Sequence, residues 1–564
     1  MKPEDLRSRR WFGEARTDGV RQFSHRSRAR QLGIASDEID GKPLIAILNT
    51  WSGINPCHMH LRERAEQVKR GVLEKGGFPV EMPVATLSET FQKPTPMMYR
   101  NLLSMETEEL LRSYPFDGAV LMGGCDKTTP ALIMGATSAN IPSVFVPAGP
   151  MLRGNVKGRQ AGSGTSMWQT WDDYKAGTAT DCDLRDLEEG IARSPGTCMT
   201  MGTASTMTSA AEVLGLALPG ASSVPAVDSG HYRMAVRAGQ AAVERVWNDE
   251  TPQSILTKEA FEDAAATVLA LGGSTNALIH LIAMAGRAGV DLTLDDFDTI
   301  SRRVPWLANL KPSGEYLMED FFYAGGLPGL LGRLSAVPGA LHRGYPEAPV
   351  YDDDVIRSPA TALSGEGGVS VLRGNLAPDG AVIKHIAADQ RLLKHAGPAV
   401  VFEDYADLKQ RVNDPSLNIT PDSVLVLRNA GPKAAGMPEY GQLPIPDYLL
   451  AQGVRDMVRI SDARMSGTSY GACVLHVAPE AAAGGPLALV RTGDTVVLDV
   501  PARTLTIDIP ERILASRRAQ WTPPQPRHER GYGALYSGNV TQANEGCDFE
   551  FLARRGASPE PDPS

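Results

Sequence analysis

The stretch VLMGGCDKTTPALIMG, Val120–Gly135, carries the reading of the fold. The apolar run Ala119 to Met122 reads as a buried strand that ends in two glycines, Gly123 and Gly124. Cys125, Asp126 and Lys127 follow at once, and Pro130 to Ala136 reads as a helix. A strand, a glycine turn and a helix make the repeating unit of a parallel α/β sheet.

Working outward, the pattern recurs. LIAILNTW (44–51) reads as a strand, and His60 to about Glu74 as a helix stopped by Gly76–Gly77. VEMPVAT (80–86), followed by Leu87, Ser88 and Glu89, and PSVFVPAG (142–149) read as two further strands. Helices alternating with these strands imply a parallel sheet covered on both faces, with ligands outside the carboxyl ends of the strands. The middle is more helical: 258–289 reads as two helices broken at Gly272–Gly273, with Ser274 as a cap. YPEAPVYDDDVIRSPATALSGEGG, in the region 345–380, is rich in turn formers and reads as a linker. Short β runs follow at 399–404, 423–431 and 487–509. The expected organisation is α/β: an N-terminal parallel-sheet domain over 1–365 and a mainly β domain over 366–564. The tail GASPEPDPS reads as disordered.

A chain of 564 residues exceeds one compact core, which agrees with two large domains. The net charge of −10, without a basic block, argues against nucleic acid and anionic membranes as partners. No stretch approaches eighteen apolar residues and the start MKPEDLRSRRWFG has no apolar core, so no membrane span is expected and the location reads as cytoplasmic.

Of six cysteines, Cys57, Cys125 and Cys198 share one context: a loop that leads into a helix. A thiol at a helix N-terminus has a lowered pKa, and the thiolate is the metal-binding form. Three such loops could converge on one sheet edge, or the thiols could be unrelated core residues. Cys182, Cys473 and Cys547 lack the pattern and read as structural. Glu89 and Asp126 are hard ligands suited to Mg²⁺, or else helix caps and first-turn acids. Lys127 reads as a partner for Asp126 unless it is desolvated or modified. In the second half, NAGPKAAGMPEYG carries Glu439, and the loop beginning VRISDARMSGTSYG carries Asp462, Arg464, Ser466 and Thr468. Ser466 has no neighbouring histidine of the Ser-His-Asp type and no G-x-S-x-G elbow, which argues against a conventional serine hydrolase. GSGTS (162–166) lacks the Lys-Ser/Thr of a phosphate loop. His58 and His60 are possible ligands, whereas His280, on an apolar helical face, reads as a core histidine.

Together these segments resemble the dihydroxy-acid and sugar-acid dehydratase family, from about residue 40 to 552. The motifs are GGCDKTTPA, CMTMGTASTM, LGGSTNA, GPKAAGMPE, SDARMSGT and GCDFEFL. CMTMGTASTM and SDARMSGT look like the aldonate branch (arabinonate and xylonate dehydratases) rather than the branched-chain enzyme. The resemblance implies a 2Fe-2S cluster on Cys57, Cys125 and Cys198, and Mg²⁺ on Glu89, Asp126, Lys127 and Glu439, with the lysine carbamylated. It further implies Ser466 as the base, Thr468 as a substrate-orienting residue, and a homodimer or homotetramer. The implied reaction dehydrates a 2,3-dihydroxy sugar acid to a 2-keto-3-deoxy acid. A barrel-like C-terminal domain and an active site between the domains follow from the same resemblance. One departure stands out: Asn539 occupies the place of a histidine in the family's C-terminal pattern. Two alternatives stay open: a branched-chain dihydroxy-acid dehydratase, and a non-catalytic iron–sulfur redox or sensor protein.

Overall fold

The computed structural model of the chain describes residues 1–13 and 19–553, and the tail GASPEPDPS lies outside them. Four strands, β1 (Leu44–Asn49), β2 (Phe78–Pro83), β3 (Gly118–Gly123) and β4 (Ser143–Pro147), form one sheet in the order β2-β1-β3-β4. Every pairing in it is parallel. β1, β3 and β4 are buried throughout, as continuous apolar runs require when helices cover both faces. The chain returns past β1 to place β3, so the strand order reverses between β1 and β3. That crevice is the topological switch point, where ligands bind in open α/β sheets.

The helices follow the expected boundaries closely. Leu61–Glu74 packs beside the sheet, and Lys258–Ala270 and Asn276–Ala288 are broken at the glycine pair. Ser274 Oγ accepts the Asn276 backbone N–H at 3.2 Å, although Thr275 occupies the cap position itself.

The second half closes into a barrel of eight strands. Around it run Val424–Leu427, Arg459–Ser461, Cys473–Ala478, Ala377–Ile383, Ser370–Gly374, Thr504–Ile507, Thr495–Asp499 and Lys394–Phe402. Closure removes the sheet edges, and alternate side chains such as Val424, Val426, Val474 and Leu498 fill a core of its own.

Two connections differ from the expectation. The acidic linker is docked: Ile356 bridges to Ala308 and Ser364 to Trp306, because Val355 and Ile356 find an apolar surface to bury. Of the last helices, Glu511–Gln520 stays on the barrel, with Leu514 in its core and Arg517 paired with Asp494, whereas Gly531–Asn539 packs Tyr536 in a cluster with Met97 and Met98 of the first half. The GCDFEFL segment then returns to the first half. Arg100 Nη2 donates to the Gly546 and Cys547 carbonyls at 2.9 and 2.8 Å. Arg287 holds Asp548 with two bonds at 2.6 and 3.1 Å. Among the described residues no helix is long and apolar enough to cross a membrane.

Candidate active site

Each strand of the parallel sheet delivers one piece of the site at its carboxyl end. Cys57 follows β1, Glu89 follows β2, and Cys125, Asp126 and Lys127 follow β3. Cys198 arrives differently: Thr197 N–H donates to Gly149 O and Met151 N–H to Thr197 O, both at 2.9 Å. Those bonds dock the Cys198 segment onto the extension of β4.

All three thiols are free and close together. The Cys57 thiol is pushed well above its ordinary value, first by its hydrogen bond with Cys125, then by burial and by the nearness of Cys125, Cys198 and Asp126. Burial pushes Cys198 up to about 12, and Asp126 adds to it. For Cys57 and Cys198 this reverses the expectation of a lowered pKa. The thiols precede the helices at Leu61 and Thr203 rather than sitting on them, and burial beside other acids outweighs any helix dipole. A soft cation bound there would remove those protons.

His58 locks two of these loops together. Its Nε2 accepts the backbone N–H groups of Gly124 and Cys125 at 3.2 and 3.0 Å, and its Nδ1 lies 3.1 Å from Thr50 Oγ1. Burial lowers its pKa to about 3, so the ring is neutral and engaged at both nitrogens. His60 Nε2 binds the Ala148 carbonyl at 2.7 Å, and His280 lies in the core against Arg100, 3.1 Å away. His58 is thus engaged at both ring nitrogens, whereas His60 Nδ1 and His280 Nε2 have no hydrogen-bond partner among the described residues.

The hard-ligand group comes from both halves of the chain. One carboxylate oxygen each of Glu89, Asp126 and Glu439 lies within 4.8 Å of the others. Lys127 Nζ sits among them, 3.0 Å from Glu89, 3.3 Å from Asp126 and 2.6 Å from Glu439. Burial, with Arg464, would push that amine down, but the three carboxylates outweigh both and hold it above its ordinary value. Burial raises Glu89 to about 7 despite Lys127, with Glu439 and Asp126 adding to the rise. Glu439 feels the same burial, yet Lys127 and Arg464 hold it below the ordinary carboxylate range. Arg464 Nη1 and Asn276 Nδ2 each reach Glu439 Oε2 at 2.8 Å.

Parallel barrel strands explain how Glu439 and Ser466 meet. Val424–Leu427 and Arg459–Ser461 run side by side, so the loops after them leave the barrel at one end. Those loops pair again, Glu439 against Arg464 and Tyr440 against Met465, and Ser466 N–H donates to Tyr440 O at 2.8 Å. Ser466 Oγ lies 2.8 Å from Thr468 Oγ1 and accepts the Thr468 N–H at 3.3 Å. Gly467 makes room behind the turn: a Cβ there would stand 2.7 Å from Ser274 Cβ and 2.9 Å from the Thr203 nitrogen.

All nine candidates thus fall into one region spanning both halves. Several contributors were not singled out for a role: Asn276, Arg464, His58 as a support, and the GSGTS loop. That loop packs on Thr468. Thr165 Oγ1 donates to Thr468 O at 2.8 Å, and Gly164, at φ +75°, leaves no space for a side chain beside Thr468. Its two glycines signalled a close backbone approach, though not to a phosphate. Asn539 is exposed and donates to Leu535 O of its own helix at 2.7 Å. Cys473 and Cys547 are buried, while Cys182 is exposed and so is not a core thiol.

The residues present suit two metal groups of different chemistry. Three converging thiols match iron, and three carboxylates match a hard divalent cation. Glu89 Oε2 is buried, and apart from the Lys127 ammonium 3.0 Å away it has no hydrogen-bond partner among the described residues. A buried carboxylate oxygen without a hydrogen-bond donor suits a metal ligand.

Comparison with known proteins agrees with this geometry. Residues 42–348 match the family model described as dihydroxy-acid/6-phosphogluconate dehydratase N-terminal, and residues 354–547 match its C-terminal counterpart. The chain is 54% identical to a 6-deoxy-6-sulfo-D-gluconate dehydratase of Pseudomonas putida, over 99% of this chain and 98% of that protein. It is 50% identical to an L-arabinonate dehydratase of Rhizobium leguminosarum bv. trifolii, over 98% and 96% of the two chains. Against a dihydroxy-acid dehydratase of Thermodesulfovibrio yellowstonii the identity is 37%, over 94% and 98%.

Proposed function

Because the chain belongs to the dihydroxy-acid/6-phosphogluconate dehydratase family and is a hydro-lyase, we propose that it dehydrates an aldonate to a 2-keto-3-deoxy acid. The observation that carries this reading is the junction at Glu439. It is the one carboxylate that belongs to the hard-ligand group and also pairs with the strand leading into Ser466.

Cys57, Cys125 and Cys198 would hold a 2Fe-2S cluster, and Glu89, Asp126, Glu439 and a carbamylated Lys127 would hold Mg²⁺. When bound, these groups supply Lewis acidity toward the C3 hydroxyl and toward the carboxylate and C2 hydroxyl. Ser466, ionised, takes the C2 proton on Oγ. The Thr468 hydroxyl and N–H are the two donors positioned to stabilise that alkoxide before the proton arrives. The C3 hydroxyl leaves as hydroxide and takes the proton from Ser466 Oγ to become water, and the enol tautomerises to the keto acid. The GSGTS loop, packed on Thr468, keeps the turn from shifting.

Ser466→Ala, purified anaerobically, should retain the visible absorbance of the cluster and lose turnover. Undiminished turnover would remove Ser466 from the base role. Comparing kcat/KM on L-arabinonate, 6-deoxy-6-sulfo-D-gluconate and 2,3-dihydroxyisovalerate tests the substrate class. Preference for the last would make this a branched-chain enzyme, and a bound cluster with no dehydration of any of the three would favour a redox or sensor role.

A further inference from the structure

Beside the Ser466 turn lies a charged residue that the reaction above does not use. Lys384 follows the barrel strand Ala377–Ile383, and Ile383 pairs with Val474 in the neighbouring strand. Its side chain is buried, and Nζ has no hydrogen-bond partner among the described residues. Lys384 lines a cavity of about 20 Å³ together with Met465, Ser466, Gly467, Ser469 and Tyr470. That volume holds one water.

Among the described residues no anion faces the amine across this cavity. The titratable groups lining it are Tyr470 and Cys473. Tyr470 gives its proton to a hydrogen bond with Asp172 Oδ2 at 2.7 Å, and burial pushes the Cys473 thiol up to about 11, so both are neutral near pH 7. The adjacent His385 is occupied by Ser370 Oγ, 2.8 Å from its Nδ1. Burial is therefore uncompensated and brings the Lys384 amine down to about 7. An unpaired buried amine is costly as a purely structural element, and an apolar side chain of the same length would fill the space. A lysine of lowered pKa next to a serine is one of the arrangements that activates a hydroxyl nucleophile or base.

We propose that Lys384 is the positioning residue that ionises Ser466, accepting its Oγ proton through one water held in the shared cavity. The O–H bond of Ser466 breaks and an N–H bond forms on Nζ, leaving an alkoxide and an ammonium. The C2 proton of the substrate then passes to Oγ and from there to the departing hydroxide, which restores the alkoxide and releases water. The inference rests on Ser466 being the base, a role that Ser466→Ala tests separately.

Lys384→Met, assayed as anaerobic holoenzyme, provides the test. The unsubstituted enzyme should show kcat/KM falling on the acid side with an apparent pKa near neutrality. The variant should lose about 100-fold in kcat, the usual scale of a proton-transfer partner, with KM changed little and without the acid-side fall near neutrality. Its thermal midpoint should be equal or higher, since a desolvated amine is gone. If Lys384→Met does not fold, Lys384→Gln serves for the same comparison. An unchanged pH profile with kcat within about threefold in a folded variant, while Ser466→Ala is inactive, overturns the role of Lys384 and leaves that of Ser466 standing.

Discussion

Lys127 Nζ lies 2.6 Å from Glu439 Oε2, across 312 positions of chain. One residue stands on a turn of the parallel sheet and the other on a loop of the barrel. Their contact joins the two halves at the hard-ligand group, where Glu89 and Asp126 share the same ammonium.

Lys127→Met removes the cation that three clustered carboxylates share. In the metal-free protein this should cost about 3 kcal/mol, as breaking a buried ion pair does. Urea unfolding checks it, and added Mg²⁺ should restore part of the loss. If the carbamate forms in the active enzyme, intact mass of the Lys127 peptide shows one added carbon dioxide; a bare amine in fully active enzyme overturns that modification.

His58→Ala leaves the Gly124 and Cys125 N–H groups without their acceptor. The expected loss is about 2 kcal/mol, together with weaker iron retention, because the turn presenting Cys125 is freed. Iron content and visible absorbance after gel filtration would reveal it. A variant that keeps full iron shows that the turn holds without the ring.

Gly467→Ala should disturb the Ser466 turn and little else. The new Cβ meets Ser274 at 2.7 Å and the Thr203 nitrogen at 2.9 Å, so the turn must move. A displacement of this kind costs on the order of 100-fold in rate, read as a fall in kcat with cluster absorbance unchanged.

Asp462 gives a pH dependence of defined sign. Its carboxylate accepts the Ala430 and Ala481 N–H groups at 3.0 and 2.9 Å, yet burial, with Glu480 nearby, raises it to about 7. The unfolded chain ionises near about 4, so between these values the folded state binds the extra proton. Its contribution to stability is full below about 4 and is lost as the pH rises to about 7. Asp462→Asn should remove a slope of up to about 1.4 kcal/mol per pH unit in that window. Denaturation midpoints of both proteins across the window check it.

Much of this was legible in the chain. The strands after which Cys57 and Cys125 stand announced themselves as short apolar runs closed by turn residues, since full burial on both faces leaves no polar position. The second half showed short β runs but not their closure, because barrel order depends on pairings such as Ser370–Gly374 with Thr504–Ile507, far apart in sequence. The acidic linker misled for a related reason: its composition is that of a loop, and only the surface near Ala308 makes Val355 and Ile356 worth burying.

At the site, local sequence determined which side chains stand at strand ends: a thiol, an acid and an amine on the glycine turn after β3, and a serine in a small-residue loop. Tertiary structure decided what they touch. The amine of Lys127 became the hub of three carboxylates because β2, β3 and a barrel loop converge on it. Lys384 became a desolvated neighbour of Ser466 because two strands of the barrel lie side by side. Contact energies and pKa shifts depend on distance in space, and a chain specifies that distance only once its parallel strands have chosen their partners.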